Sequence, residues 1–154
     1  MPARIITDIE ELKSAAGQEI GASGWLTVDQ RMIDAFAQVT GDDQWIHVNP
    51  ARARTESRYG RTVAHGFLTL SLLSRLSREA VDIRGDFRMR VNYGLNRVRF
   101  PAPVAEGSRI RARFALQSVS DIEGGHQIVW QVTVDLEGQE KPAMAAEWLV
   151  RLYR

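Results

Sequence analysis

The C-terminal half of the chain is written with a period of two. Phe87, Met89, Val91 and Tyr93 alternate with Arg88, Arg90 and Asn92; Gly94 interrupts, and Val98 and Phe100 resume before Pro101. Ile110, Ala112, Phe114 and Leu116 then oppose Arg109, Arg111, Arg113 and Gln117. Ile128, Trp130, Val132, Val134 and Leu136 oppose Gln127, Gln131, Thr133 and Asp135, and Met144, Ala146, Trp148, Val150 and Leu152 form the last set. Such alternation predicts strands with one buried face. Glu123-Gly124-Gly125 and Glu137-Gly138 read as the turns between them.

The N-terminal half is punctuated by helix caps. Thr7-Asp8, followed by Glu10 and Glu11, predicts a short helix to about Ala16. Glu19 to Leu26 fits a strand bounded by glycines. Thr27-Val28-Asp29-Gln30 fits a capping box with Thr27 as N-cap and Gln30 reaching back to it. Met32, Ile33, Phe36 and Val39 then share one helical stripe, which ends at Thr40-Gly41. Asn49-Pro50 restarts a helix that stops before Tyr59-Gly60, so a loop of about seven residues is pinned between two helix ends. From Gly66 runs the most apolar helix: Phe67, Leu68, Leu70, Leu72, Leu73 and Leu76 cover most of its circumference, with small hydroxyls at Thr69, Ser71, Ser74 and Ser77. A helix apolar nearly all round is buried. Charge returns at Arg78, Glu79 and Asp82, which reads as its exit to solvent.

Four or five antiparallel strands, each with one apolar face, bury such a helix most simply by curving around it. The expected class is α+β, a hot-dog fold of antiparallel sheet wrapped around a long central helix. Residues 1–154 read as one domain, a size ordinary for a single core. One sheet of this extent leaves an edge and part of the helix uncovered, which predicts a homodimer at least.

Bulk chemistry narrows the function classes. A net charge of +1 gives no global attraction to nucleic acid or to an anionic membrane. Of 20 basic residues only Lys13 and Lys141 are lysines. With no cysteine there are no disulfides, no thiolate catalysis and no Cys-based zinc site. Met1-Pro2-Ala3-Arg4 begins no apolar signal core, and the apolar stretch around Gly66 to Leu76 is too short to span a bilayer; the expected location is cytoplasmic.

Candidate chemistry concentrates in Thr40-Gly41-Asp42-Asp43-Gln44-Trp45-Ile46-His47. Two carboxylates, an amide and an imidazole stand beside a Trp and an Ile, a combination suited to proton transfer; it equally suits a plain turn ending a helix. His65-Gly66 opens the apolar helix. The first N–H groups of a helix lack partners, and glycine lets a ligand come close to them, so a thioester or enolate oxygen fits there; tight packing and a capping His65 would use the same residues.

Together the two stretches carry a resemblance. Asp42 and His47, five residues apart after Gly41, followed by Val63-Ala64-His65-Gly66-Phe67-Leu68, resemble the MaoC-like (R)-specific enoyl-thioester hydratases. With the run from Asn92 to Pro101 they look like the nodulation-protein-N-like branch, over about residues 18–154. The resemblance implies a hydratase/dehydratase, a lyase of fatty acid metabolism that interconverts 2-enoyl and (R)-3-hydroxyacyl thioesters of CoA or an acyl-carrier protein, with no cofactor and no metal. It carries catalytic roles to Asp42 and His47, an oxyanion-binding backbone N–H to Gly66, and a supporting hydroxyl to Ser74; Gln44 and His65 are further supporting residues. Gln44-Trp45 stands where many members have Asn-Pro, so the loop shape differs, although Gln44 still offers an amide. Asp43 has the wrong spacing to His47. Trp45, Ile46 and Phe67 are expected to line the acyl pocket, Arg97 and Arg99 to face solvent, His126 to lie at a surface turn, and Trp130 and Trp148 to fill the sheet face. A hot-dog acyl-CoA thioesterase and a non-catalytic acyl-thioester-binding accessory protein stay open as alternatives.

Overall fold

The computed structural model describes residues 2–154. In chain order, β1 (Arg4–Ile6) leads to α1 (Ile9–Ser14), β2 (Glu19–Ala22), β3 (Leu26–Thr27), α2 (Gln30–Thr40), α3 (Trp45–Val48) and α4 (Pro50–Glu56). Then come α5 (Gly66–Ser71), α6 (Leu73–Ala80), β4 (Val81–Ile83), and the four long strands β5 (Met89–Arg99), β6 (Arg109–Ile122), β7 (Gly125–Leu136) and β8 (Met144–Tyr153). The main sheet has the order β2-β6-β7-β8-β5 with β3 added beside β2 on β6, and its pairs are antiparallel.

The alternating residues of β6, β7 and β8 bury the predicted faces. Phe114 lies at the centre, 6.0 Å edge-on to Trp130 and 6.3 Å from Trp148. Leu73 and Leu76 from α6, Ile33 from α2 and Ile20 from β2 close the same core. This is the hot-dog architecture: a curved antiparallel sheet with the Gly66 helix inside it. Gly21 permits the closest approach of sheet and helix, since a Cβ there would lie 2.5 Å from the Ala80 carbonyl oxygen.

Local details depart from the sequence expectations for identifiable reasons. The strand expected over Glu19 to Leu26 breaks after Ala22, because the Ser23 hydroxyl takes the Ala112 N–H (3.0 Å) in place of a regular ladder. Asp29, not Thr27, caps α2 by accepting from Met32 N (2.9 Å). Gln30 is thereby free of the capping box. Val39 does not join the buried stripe of α2; it is 86% exposed on the last turn. The long central helix is divided at Leu72, although Leu72 N→Leu68 O and Leu76 N→Leu72 O carry the bonding through. The Ser71 hydroxyl bonds back to the Phe67 carbonyl (2.7 Å), an arrangement that bends helices. Part of the helix is left uncovered, as expected of a single sheet: Phe67 is 67% exposed. Asp82 does not mark an exit to solvent but lies in β4, which pairs in parallel with β1, a small second sheet that short segments did not reveal.

Along β5 the apolar set is largely exposed, with Met89 and Tyr93 each at 54%. Bulges at Asn92/Gly94 and Leu95/Arg97 re-aim its side chains. His126 is buried, not a surface residue: its Nδ1 lies 2.8 Å from Asp121 Oδ1 and its ring meets Phe87 edge-on. No helix among the described residues is long and apolar enough to cross a membrane.

Candidate active site

Gly41 ends α2 in the left-handed conformation (φ 75°), which glycine adopts without a Cβ penalty. The turn places Asp42 at the mouth of a cleft with an exposed side chain. The stretch expected to be a free loop then winds into α3, so His47 sits on a helical turn that is followed at once by the Asn49-capped, Pro50-started α4. That pinning buries His47.

The tautomer of His47 is set by its partner. Nδ1 lies 2.6 Å from the Val63 carbonyl oxygen. A carbonyl only accepts, so Nδ1 carries the hydrogen and Nε2 of the neutral ring keeps its lone pair. Burial pushes the His47 pKa below the ordinary imidazole value. The Val63 bond opposes this, the adjacent His65 ring lowers it further, and Asp42 raises it. The net shift is downward, which favours the neutral ring.

His65 supplies no side-chain cap to α5. Its Nε2 donates instead to the Asp42 backbone carbonyl (2.8 Å), tying the root of the loop to the start of the helix. Its ring stacks on His47 at 3.8 Å with a 22° tilt, and Phe36 closes the other flank at 4.9 Å. Its buried Nδ1 has no partner among the described residues.

One potential ligand atom from each of Asp42, His47 and His65 lies within 4.8 Å of the others. At the outer limit of that spread a point equidistant from the three is about 2.8 Å from each, a hydrogen-bond length. A water shared by Asp42 and His47 fits that space. A metal fits poorly, since the in-plane lone pairs of stacked rings run side by side and do not meet at one ion.

The cleft holds about 360 Å³ and is mostly apolar. Phe36, Thr40, Asp42, His47, His65, Gly66, Phe67 and Phe100 line it. Gly66, at the start of α5, lines this space without a Cβ, and its N–H donates to no group among the described residues. Phe100 packs against Gly66 so closely that a Cβ there would lie 3.0 Å from its ring. Thus Asp42, His47, His65, Gly66 and Phe67 meet at one cleft.

The other predicted residues are elsewhere. Ser74 does not reach the pair; two turns beyond Gly66, its hydroxyl accepts from Asn92 Nδ2 (3.3 Å). Trp45 turns away from the cleft to lie under the Arg52 guanidinium (4.3 Å), and Ile46 contributes its carbonyl to Val63 N–H (2.9 Å). Gln44 is exposed and makes no capping bond with its amide; its carbonyl starts α3 by accepting from His47 N (2.9 Å). Helical winding of residues 45–48 causes all three shifts. Phe36, Thr40 and Phe100 are lining residues that sequence reasoning missed. Phe36 read as core, Thr40 as a terminator, and Phe100 as the end of a strand, and only the fold joins them.

Fold and cleft together define a hot-dog protein whose cleft gathers Asp42, His47 and the start of α5. The chain belongs to the MaoC like domain family, whose model matches residues 11–139. It is 46% identical over 149 residues to 3-hydroxyacyl-thioester dehydratase Z of Mycobacterium tuberculosis, covering 96% of this chain and 97% of that one. It is 48% identical over 143 residues to nodulation protein N of Rhizobium leguminosarum bv. viciae, covering 92% and 88%. Among solved structures, a monoamine oxidase regulatory protein from Archaeoglobus superposes with a TM-score of 0.78 at 21% identity over 100% and 99% of the two chains. The (R)-hydratase from A. caviae superposes with a TM-score of 0.67 at 23% identity over 88% and 98%.

Proposed function

We propose that this chain, as one MaoC-like domain over residues 1–154, hydrates 2-enoyl thioesters of CoA or an acyl-carrier protein to (R)-3-hydroxyacyl thioesters and catalyses the reverse dehydration. The observation that carries the reading is the Val63-bound His47, which shares a largely apolar cleft with Asp42, a potential ligand atom of each lying within 4.8 Å of the other, and with Gly66 at the start of α5. The similarity to 3-hydroxyacyl-thioester dehydratase Z along nearly the whole chain supports the same chemistry.

In hydration, Asp42 and His47 hold one water. As its oxygen bonds to C3, one proton passes to the pair and a proton returns from the pair to C2. The enolate formed in between carries its charge on the thioester oxygen, and the Gly66 N–H at the helix start stabilises that charge. Dehydration runs the same steps backwards. Phe36, Phe67 and Phe100 exclude bulk water from the reacting carbons. The titration belongs to the Asp42–His47 pair as a unit.

We also propose that the working form is a cytoplasmic homodimer. Within the main sheet β5 has one neighbour, β8, and its free edge carries exposed Met89, Tyr93 and Leu95, the features by which an edge strand pairs with a copy of itself. The test is incubation with a series of 2-enoyl-CoA esters, following loss of the conjugated double bond and the chirality of the product. An (R)-3-hydroxyacyl product supports the reading. Release of free CoA thiol, or binding without turnover, overturns it in favour of a thioesterase or an accessory binder.

A further inference from the structure

Gln30 belongs to no cleft residue set around Asp42, yet three elements meet on its amide. Its Nε2 donates to the His47 carbonyl (2.7 Å) and to Asp34 Oδ1 (2.8 Å). Its Oε1 accepts from the Thr62 hydroxyl, and Thr62 is buried at 2% exposure. A primary amide can do both, as two donors and an acceptor on one rigid plane.

The segment that Gln30 grips is the one that orients His47. Residues 62–64 run as an extended strip held on one side by Ala64 N→Val104 O (2.8 Å) and Glu106 N→Thr62 O (2.9 Å). On the other side Val63 N donates to Ile46 O (2.9 Å), and the Val63 carbonyl receives His47 Nδ1–H (2.6 Å). Gln30 closes this ring of contacts, tying the His47 backbone to Thr62, next to the carbonyl that selects the His47 tautomer. We propose that Gln30, acting through Thr62 and the His47 carbonyl, is a positioning residue that holds His47 in its Nδ1–H form with Nε2 toward the cleft. The kinetic part of this inference rests on the hydratase reading; the orientation of the ring does not.

The two are separated by reading the ring directly. The chain has three histidines, so the ¹⁵N ring signals of His47 can be assigned by substitution. Gln30→Ala is expected to lower the Nδ1–H share of neutral His47. It should reduce kcat about 10- to 100-fold, the scale of a small misplacement of a reacting group, with KM within about twofold. Thr62→Val should do the same, and Thr62→Ser, which keeps the hydroxyl, should stay near the parent. Because the Thr62 hydroxyl acts through its bond to Gln30, the double variant Gln30→Ala/Thr62→Val should be no worse than the worse single. Gln30 and Thr62 also line a second, polar cleft with Arg54 and Arg61, so the space left by the amide fills with water and the fold survives. Should Gln30→Ala nevertheless fail to fold, Gln30→Glu keeps the shape but sets a carboxylate against the His47 carbonyl and Asp34; at pH 8 it should show the same ring change. An unchanged His47 spectrum in these variants, or losses that multiply in the double variant, overturns the proposal. If no enoyl thioester is turned over at all, the ring spectra alone decide it.

Discussion

Replacing Gly66 with alanine separates the proposed oxyanion site from the stability of the fold. The new methyl would lie 3.0–3.1 Å from three carbons of the Phe100 ring. Comfortable carbon–carbon contact is about 3.5–4.0 Å, so the ring must retreat by about half an ångström. Phe100 is 38% exposed and can move outward, at about 0.5–1.5 kcal/mol for the strained torsion. Alanine returns up to about 1 kcal/mol through helix propensity, less at a first-turn position. The two nearly cancel, which for a chain of this length keeps Tm within about 2–4 °C of the parent. Activity has no such compensation. The methyl and the displaced ring occupy the approach to the Gly66 N–H, and loss of one such donor costs about 10²–10³-fold in kcat. Enoyl-CoA hydration followed by ultraviolet absorbance, with a melting curve on the same sample, measures both. Activity within threefold of the parent removes Gly66 as the donor. A fall in Tm beyond about 8 °C shows that the packing estimate is wrong.

Three further outcomes are expected. Asp42→Asn should lower hydration by about 10²–10⁴-fold while leaving the melting curve in place, because the carboxylate is exposed and holds no ion pair among the described residues; near-parental turnover removes it from the mechanism. The acid limb of kcat/KM should fall below the usual imidazole value of about 6.5, because folding lowers the His47 pKa and the reaction needs the neutral ring. By the same linkage this group's contribution to stability is complete above about 6.5 and is lost as the pH drops toward the folded value; a limb at or above 6.5 contradicts the burial argument. Charging the β5 edge with Tyr93→Lys and Leu95→Lys should shift sedimentation toward the monomer, whereas an unmoved profile places the dimer contact elsewhere.

Much of the sheet was legible because period-two alternation survives wherever one face is buried, as in β6, β7 and β8. It misled along β5, where the same pattern faces outward at an edge. The site was half legible. Asp42, His47 and Gly66 stood out by residue type and by their place at helix ends. Gln30 read only as a capping residue, Val63 only as a motif position and Thr62 as nothing in particular, since their roles lie in an amide, a backbone carbonyl and a hydroxyl joined across sequence separations of up to 32 residues. Ser74, Trp45 and Ile46 were misplaced because spacing along the chain fixes neither helix phase nor which face a one-turn helix such as α3 presents. His126 looked like a turn residue, and only the pairing with Asp121 across the hairpin accounts for its burial.

The two histidines at the cleft show why the backbone matters more here than a second carboxylate would. Each ring gives its hydrogen to a main-chain carbonyl, His47 to Val63 and His65 to Asp42. A carboxylate partner would bring negative charge, stabilise the imidazolium and raise the pKa. A carbonyl orients the ring with much less of that effect, so burial prevails and the His47 pKa is lowered. His65 completes the arrangement from the other side. A second imidazole stacked at 3.8 Å makes a charge on His47 costlier, and its bond to the Asp42 backbone leaves the Asp42 carboxylate free. The negative charge at the cleft mouth is therefore the exposed Asp42 carboxylate. In the proposed mechanism it shares a proton with His47 through water, while the Val63 carbonyl orients the ring.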